Sequence, residues 1–212
     1  PRHWEILLRL QGTDGQLIPP GAFLPAAERY GVMAAIDHWV IRRALACCRH
    51  LAHGRASTIA LNLSTSALDD GSLIPLIDRE IRHHGLNPGQ LIFEITETTA
   101  MGHLSRTTRF LAALQELGCR FALDNFGSGL SSLTHLKDLP VDYLKVEGRL
   151  VRAMVDDPIA HTMVATLAEV GRLLEIATVA EGVEDAALTP HLQALGIGLG
   201  QGYALGRPGA LA

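Results

Sequence analysis

The stretch Phe121-Ala122-Leu123-Asp124-Asn125-Phe126-Gly127-Ser128-Gly129 joins an apolar run to an acidic residue, an amide and a glycine-flanked loop. Such an apolar run is typical of a buried strand in a parallel sheet. Carboxylate and amide oxygens at the end of a strand are the groups that a hard divalent cation prefers. The same residues also fit ordinary Asp and Asn turn chemistry, so the stretch alone leaves both interpretations open.

Similar apolar runs recur along the chain and alternate with segments of helical period. The predicted strands are Glu5–Leu10, Thr58–Leu63, Leu91–Thr96, Arg120–Leu123, Tyr143–Val146, Ile176–Ala180 and Ile197–Leu199. The predicted helices are Ala34–Leu51, Ser72–His83, Ser105–Leu117, Pro158–Leu174 and Ala186–Leu195, with Gly54, Gly85, Gly118 and Gly196 at helix ends. This alternation predicts an α/β fold with a parallel sheet, best matched by a (β/α)8 TIM-like barrel. A doubly wound open sheet is the alternative, although the sequence lacks the glycine-rich phosphate loop it would need after an early strand.

The first predicted helix has the amphipathic pattern of a helix packed on a barrel. Trp39, Val40, Ala44 and Cys47 fall on one of its faces. We therefore predict that Trp39, like Trp4, is a packing residue and not a platform for a base.

Composition limits the domain count, the partners and the compartment. At 212 residues, 48% of them hydrophobic, the chain can bury one large core, which predicts a single domain over residues 1–212. A formal net charge of −4 argues against duplex nucleic acid as a partner. Cys47, Cys48 and Cys119 fit neither a disulfide framework nor a zinc site, and we interpret them as small buried hydrophobes. A cytoplasmic location is expected, either alone or as part of a membrane-anchored protein.

Polar residues close five of the predicted strands. They are Asn62, Glu94, Glu97, Asp124, Asn125, Lys145 and Glu181. In a barrel these positions meet at the carboxyl-terminal mouth, where active sites of this fold lie. Carboxylates that converge in a low-dielectric pocket repel one another unless cations compensate them. Several acids with a single lysine therefore predict a metal site, and oxygen ligands favour Mg²⁺ or Mn²⁺.

These residues lie in ordered motifs that resemble the EAL domain, a cyclic di-GMP phosphodiesterase module. The matching motifs are Glu5-Ile6-Leu7-Leu8-Arg9, Phe23–Glu28, Leu61–Ser64, Glu94–Glu97, Asp124–Gly129, Leu139–Lys145, Ala180–Glu184 and Gln201-Gly202-Tyr203. The resemblance runs from about Trp4 to Pro208. It implies a (β/α)8 barrel of EAL type that hydrolyses cyclic di-GMP to linear pGpG in bacterial signal transduction.

The resemblance also implies a metal centre of two ions, Mg²⁺ or Mn²⁺. The implied ligands are Glu5, Asn62, Glu94, Asp124, Asn125 and Glu181. Asp124 would bridge the first ion to the second, which Asn125 and Glu181 would help to fix. Together the ions would clamp a phosphodiester and activate the attacking water.

The remaining implied roles concern catalysis and ligand binding. The catalytic residues are Lys145, Glu181 and Glu97, and the substrate-binding residues are Arg9 and Gln201. Lys145 would orient or deprotonate the attacking water, and Glu97 would hold the loop after Asp124. Arg9 would lie on the same face as Glu5 if both belong to one strand, and could contact a ligand phosphate.

The chain departs from the family pattern at three places. Asn125 stands where the family has a second aspartate, and its amide brings no negative charge. Glu147 stands where the family usually has aspartate. The chain also starts at Pro1, just before the Glu5 strand, so we expect an N-terminally truncated domain without the family's first strand.

Three functions are compatible with these residues. The leading hypothesis is a metal-dependent cyclic di-GMP phosphodiesterase, its activity reduced by Asn125. The alternative is a degenerate EAL module that binds cyclic di-GMP as a receptor without hydrolysing it. A scaffold that binds no nucleotide is disfavoured because Glu5, Asn62, Glu94, Asp124, Lys145 and Glu181 are retained together. The expected partners are cyclic di-GMP, a second copy in a homodimer, and an upstream sensory or GGDEF domain.

Overall fold

The computed structural model describes residues 2–51, 57–127 and 133–211. The strands are β1 Arg2–Ile6, β2 Leu10–Gln11, β3 Leu17–Ile18, β4 Ser57–Asn62, β5 Leu91–Thr96, β6 Arg120–Phe126, β7 Tyr143–Val146, β8 Ala177–Ala180 and β9 Leu199–Gly200. The helices are α1 Pro20–Arg29, α2 Met33–Leu51, α3 Leu73–His84, α4 Glu97–Gly102, α5 Leu104–Glu116, α6 Gly148–Ala153, α7 Pro158–Leu173 and α8 Leu188–Ala194. Gly54, predicted at a helix end, and the loop residues Ser128 and Gly129 lie outside the described residues.

The chain divides into two compact units. The first comprises residues 1–93, 112–120 and 211–212, and the second comprises residues 94–111 and 121–210. Strand β5 belongs to both, with Leu91-Ile92-Phe93 in the first unit and Glu94-Ile95-Thr96 in the second. The organisation of residues 1–212 as one domain stays a prediction.

The strand order follows the chain order. It runs β1-β4-β5-β6-β7-β8-β9, and the pairs β1–β4, β6–β7, β7–β8 and β8–β9 are parallel. A doubly wound sheet would reverse its strand order at a switch point, whereas sequential order is that of a (β/α) barrel. The first five residues of β5 are buried, as expected for parallel strands covered on both faces.

Two strand boundaries differ from the prediction in ways that affect the site. The strand predicted over Glu5–Leu10 ends at Ile6, and Leu10–Gln11 pairs antiparallel with Leu17–Ile18 instead. The chain turns back between β2 and β3, and in that turn Gly15, at φ 83°, donates its N–H to Gly12 O. Strand β6 continues to Phe126, three residues beyond its predicted end. Helices α1, α4 and α6 and the β2–β3 hairpin were not predicted.

Helix α2 packs through a different face from the predicted one. Its buried positions are Met33, Asp37, Ile41, Ala44 and Leu45, spaced by three, four and one residues. At about 100° per residue, position 39 lies on the opposite side of the helix from positions 37 and 41. The side chain of Trp39 is accordingly 57% exposed, and Trp4 is 42% exposed. The prediction that Trp39 packs through the buried face of α2 was wrong, and the packing role of Trp4 stays a prediction.

The described cysteines differ in their surroundings. Cys119 is buried, as predicted, and burial raises the pKa of its thiol to about 12. Cys47 is only half-buried, and the side chain of Cys48 lies outside the description. No helix among the described residues is both long and apolar enough to span a bilayer. The cytoplasmic location stays a prediction.

Candidate active site

In the first unit, an acid and an amide meet at the carboxyl ends of β1 and β4. Glu5 is in register with Ala60, so it shares a face with Asn62, two residues further along β4. The amide nitrogen Nδ2 of Asn62 donates to Oε1 of Glu5 at 2.7 Å. The structure therefore brings together these two predicted metal ligands, one from each neighbouring strand.

A second acid supports this end of β4, and sequence reasoning missed it. Asp37 is 5% exposed on α2 and accepts hydrogen bonds from Oγ and N of Ser64, at 2.5 and 3.4 Å. Burial raises the pKa of Asp37, while the bonds from Ser64 oppose that shift. Because Ser64 follows Asn62 by two residues, Asp37 fixes the turn that carries Asn62. An acid on the buried face of α2 was the signal in the sequence.

In the second unit, three carboxylates surround the ammonium of Lys145. Its Nζ lies 2.6 Å from Oε2 of Glu94, 3.0 Å from Oδ1 of Asp124 and 3.0 Å from Oε1 of Glu181. Lys145 is 2% exposed, Glu94 1% and Asp124 8%. Removing such charges from water is costly, so their mutual compensation is what allows them to remain ionised inside the protein.

The strand register explains why these groups meet. Leu123 of β6 pairs with Leu144 of β7, which places Asp124 level with Lys145. Val146 pairs with Ala180, and the next residue of that chain segment, Glu181, donates its N–H to Val146 O. Parallel strands in register present their carboxyl-terminal residues at one edge, as the sequence predicted.

Asn125 has the least regular backbone of the predicted site. Its φ is 54°, in the left-handed region that Asn tolerates better than most residues, and the β6–β7 register shifts between Leu123 and Phe126. In a regular strand the side chains of residues 124 and 125 would point to opposite faces. Here Nδ2 of Asn125 donates to Oδ2 of Asp124 at 2.8 Å. The amide that was predicted as a metal ligand thus binds the neighbouring carboxylate.

Glu97 begins helix α4 instead of ending a strand. Thr96 caps that helix by accepting from the N–H of Thr99. Glu97 is 2% exposed, and its Oε2 accepts the N–H of Gly127 at 3.0 Å. Gly127 belongs to the loop after Asp124, which is the loop that Glu97 was predicted to hold.

A cavity of about 410 Å³ opens beside these residues in the second unit. Its lining includes Asn125, Glu181 and Gln201 from the predicted site, together with Arg149, Arg152 and Tyr203. Sequence reasoning did not assign these last three side chains, although two basic residues directly after the Lys145 strand were a signal. Arg149 pairs with Glu147, and Arg152 lies 3.5 Å from Glu184.

Arg9 is not placed as its predicted role required. It lies outside β1, is exposed, and its Nη1 donates to the carbonyl oxygen of Leu8 at 2.7 Å. The argument that Arg9 shares a strand face with Glu5 was wrong because the strand ends at Ile6. Its contact with a ligand phosphate stays a prediction.

Comparison with known proteins identifies the family. The EAL domain model matches residues 1–208. The chain belongs to the EAL domain family. The shared motifs span both compact units, so family membership does not depend on a single strand or loop.

Relatives of this EAL domain agree in sequence and in fold. It is 38% identical over 209 residues to the cyclic di-GMP phosphodiesterase PdeB of Shewanella oneidensis, covering 98% of this chain and 24% of PdeB. The structure of the phosphodiesterase PaMucR in complex with c-di-GMP matches with a TM-score of 0.90 at 35% identity, covering 96% of this chain and 83% of that one. The FimX EAL domain from Pseudomonas aeruginosa bound to c-di-GMP matches with a TM-score of 0.90 at 29% identity, covering 99% and 85%. The predicted barrel fold of EAL type is thereby confirmed.

The domain spans only part of its curated relatives. It covers 24%, 27%, 26% and 30% of the first four. What those longer proteins do as wholes is therefore a separate question from what this domain does.

The side chains of the second unit fit a divalent cation by their donor chemistry. Oxygen is the only donor type that Glu94, Asp124 and Glu181 supply, and their charge exceeds that of Lys145. Oδ1 of Asp124 is buried at ion-pair distance from Lys145, yet accepts no hydrogen bond from the described residues. Among the described residues no three His, Cys, Asp or Glu side chains are grouped to hold a metal, and the ammonium of Lys145 lies among the three acids. A cation would therefore have to share these carboxylates with Lys145.

Glu97 provides the first test of the site. Glu97→Ala should lower kcat about 10–100-fold, the range for losing a residue that orients metal ligands, because the loop after Asp124 loses its acceptor. Glu97→Gln should retain more activity, since its amide oxygen can still accept the N–H of Gly127. Thermal melts would show whether both variants fold. Equal losses in kcat for the two variants would contradict the role of this hydrogen bond.

Proposed function

We propose that this EAL domain hydrolyses cyclic di-GMP to linear pGpG with Mg²⁺ or Mn²⁺ as cofactor. The observation that carries the proposal is the buried cluster of Glu94, Asp124 and Glu181 around Lys145. Burying a cluster of this kind costs desolvation free energy, so its presence indicates a functional role. Its four members come from four different strands or strand ends. Cyclic di-GMP is proposed as the substrate because relatives of the chain are named cyclic di-GMP phosphodiesterases.

The cation would be held in the second unit by Glu94, Asp124 and Glu181. When bound, it would stabilise charge on a phosphoryl oxygen and lower the pKa of water. Glu5 and Asn62, joined by their hydrogen bond within the first unit, stay predicted metal ligands. The two-ion arrangement implied by the family resemblance stays a prediction.

Lys145 has its own task in the proposed reaction. Hydrolysis forms one bond from water oxygen to phosphorus and breaks one bond from phosphorus to the ribose oxygen. Surrounded by three carboxylates, Lys145 is held as an ammonium, which has hydrogens to donate and no lone pair to accept a proton. We therefore assign Lys145 to orienting the water and to stabilising negative charge, in preference to deprotonating the water.

The cavity supplies groups for recognising the nucleotide. Arg149 and Arg152 offer guanidinium donors for phosphate or for the acceptors of a guanine, and Gln201 follows β9 at the cavity wall. Its N–H donates to Ala180 O at 2.8 Å, which fixes the backbone of Gln201 beside Glu181. A homodimer and an upstream sensory or GGDEF domain remain proposed partners of the full-length protein.

A receptor that binds cyclic di-GMP without turnover is the second candidate. The observation that favours it is the hydrogen bond from Asn125 to Asp124, because that amide occupies a carboxylate oxygen that an ion would otherwise contact. Arg149, Arg152 and Gln201 in the cavity could still bind the nucleotide without an ion at Asp124.

One set of assays separates these functions. Purified protein is incubated with cyclic di-GMP and Mn²⁺, Mg²⁺, Ca²⁺ or EDTA, and the product is followed by chromatography. We expect pGpG with Mn²⁺ or Mg²⁺, inhibition by Ca²⁺, whose looser geometry misplaces the water, and no product with EDTA. Calorimetry with Ca²⁺ measures binding alone. Binding without turnover would establish the receptor, and absence of both would exclude the two functions together.

A further inference from the structure

Asn125 occupies a position that, in a site for two ions, would serve the second one. Its Nδ2 donates to Oδ2 of Asp124 at 2.8 Å, while Oδ1 of Asp124 lies 3.0 Å from Nζ of Lys145. Only the nitrogen of the amide can face a carboxylate oxygen, because the amide oxygen would be repelled there. Oδ2 of Asp124 is therefore occupied by the amide, while Oδ1 accepts no hydrogen bond from the described residues and stays available to an ion.

The charges of the cluster around Lys145 lead to the same conclusion. Three carboxylates around one ammonium leave a charge of −3 + 1 = −2, which one divalent ion balances. The other acids of the cavity wall, Glu147 and Glu184, are paired with Arg149 and Arg152 and add no net charge. An aspartate at position 125 would add a further negative charge directly beside Asp124 and would create a demand for a second cation.

We propose that Asn125, a neutral residue in place of a charged ligand, limits the domain to one divalent ion before nucleotide arrives. Its amide holds Oδ2 of Asp124 by a hydrogen bond and adds no negative charge that a second ion would compensate. This inference rests on the proposed function, since it concerns the metal centre of the same site. Asn125 would thus determine how many metal ions the domain binds.

Direct measurement of Mn²⁺ binding tests the proposal without requiring turnover. Titration of the metal-free protein, followed by calorimetry and by the electron paramagnetic resonance signal of free Mn²⁺, counts the ions per chain. Wild type should bind one, and Asn125→Asp should bind two, with affinity for the second ion raised at least 10-fold. Asp also tolerates the left-handed backbone at φ 54°, so the substitution introduces no new strain.

Two control variants separate the amide from charge in general. Asn125→Gly removes the amide at a positive φ without strain and adds no ligand, so it should still bind one ion. Asn87→Asp adds the same charge at the turn 88–90, where its oxygen can still accept the N–H of Gly89, and should also leave one ion. Unchanged stoichiometry in both would attribute the second ion to a carboxylate at position 125.

The outcomes distinguish this inference from the proposed function. Two tightly bound ions in wild type, one in Asn125→Asp, or none in either would overturn the inference. If the stoichiometry changes from one to two but neither protein hydrolyses cyclic di-GMP, the inference stands and the phosphodiesterase proposal fails. If wild type hydrolyses cyclic di-GMP with two tightly bound ions, the phosphodiesterase proposal stands and the inference about Asn125 fails.

Discussion

Replacing Lys145 with methionine should abolish hydrolysis and destabilise the metal-free domain by about 3–5 kcal/mol, the range for removing one partner of a buried ion pair. Methionine keeps most of the lysine stem but not the ammonium, so Glu94, Asp124 and Glu181 would face one another without compensation. Because like charges raise the cost of ionisation, at least one carboxyl should then take up a proton. The free energy of unfolding, from denaturant titration without metal, measures the effect.

Metal ions should partly restore the stability of this variant. A divalent cation can take over the compensation of the three carboxylates, so Mn²⁺ should raise the melting temperature of Lys145→Met more than that of wild type. Hydrolysis should stay absent, since no ammonium remains to orient the water. Lys137→Met, at an exposed position of the turn 133–138, is the matched control and should change neither property. A Lys145→Met protein as stable as wild type without metal would show that the cluster is not ionised as described.

Glu181→Gln should lower kcat by at least about 100-fold, beyond the about 10–100-fold typical of residues that only support metal ligands. The substitution keeps the shape of the side chain and removes one of the three charges around Lys145. Glu181 is only one of several residues that line the cavity. Cyclic di-GMP should therefore still bind to the variant when Ca²⁺ is present. Steady-state kinetics with Mn²⁺ and calorimetry with Ca²⁺ measure the two effects separately.

The control for this variant is Glu169→Gln on α7. Glu169 is exposed and pairs only with Arg172 among the described contacts, three residues further along the helix. Surface pairs of this kind contribute little, so activity should be unchanged. If Glu181→Gln turned over cyclic di-GMP as fast as Glu169→Gln and wild type, Glu181 would not be a ligand of the catalytic ion.

Much of the fold was predictable because its signals are local. The boundaries of Leu91–Thr96 and Tyr143–Val146 agree with the structure residue by residue, since each is an apolar run bounded by turn residues. The strand predicted to run from Glu5 to Leu10 was too long because its apolar residues continue past Ile6, where β1 ends, to Leu10, which pairs with Ile18 instead. The prediction for Trp39 was wrong because α2 has apolar residues on more than one face, and the face with Ile41, Ala44 and Leu45 is the buried one.

The sequence by itself determined which chemistry this domain carries. The acids, the amide and the single lysine fall at strand ends, and parallel strands in register bring such residues to one edge without any further instruction. Only the tertiary structure decided how they are used. A left-handed residue and a register shift in β6 turn the amide of Asn125 onto Asp124, and burial leaves Lys145 among three carboxylates. Those choices depend on backbone dihedrals and on contacts between groups distant in sequence, which no local pattern of residues records.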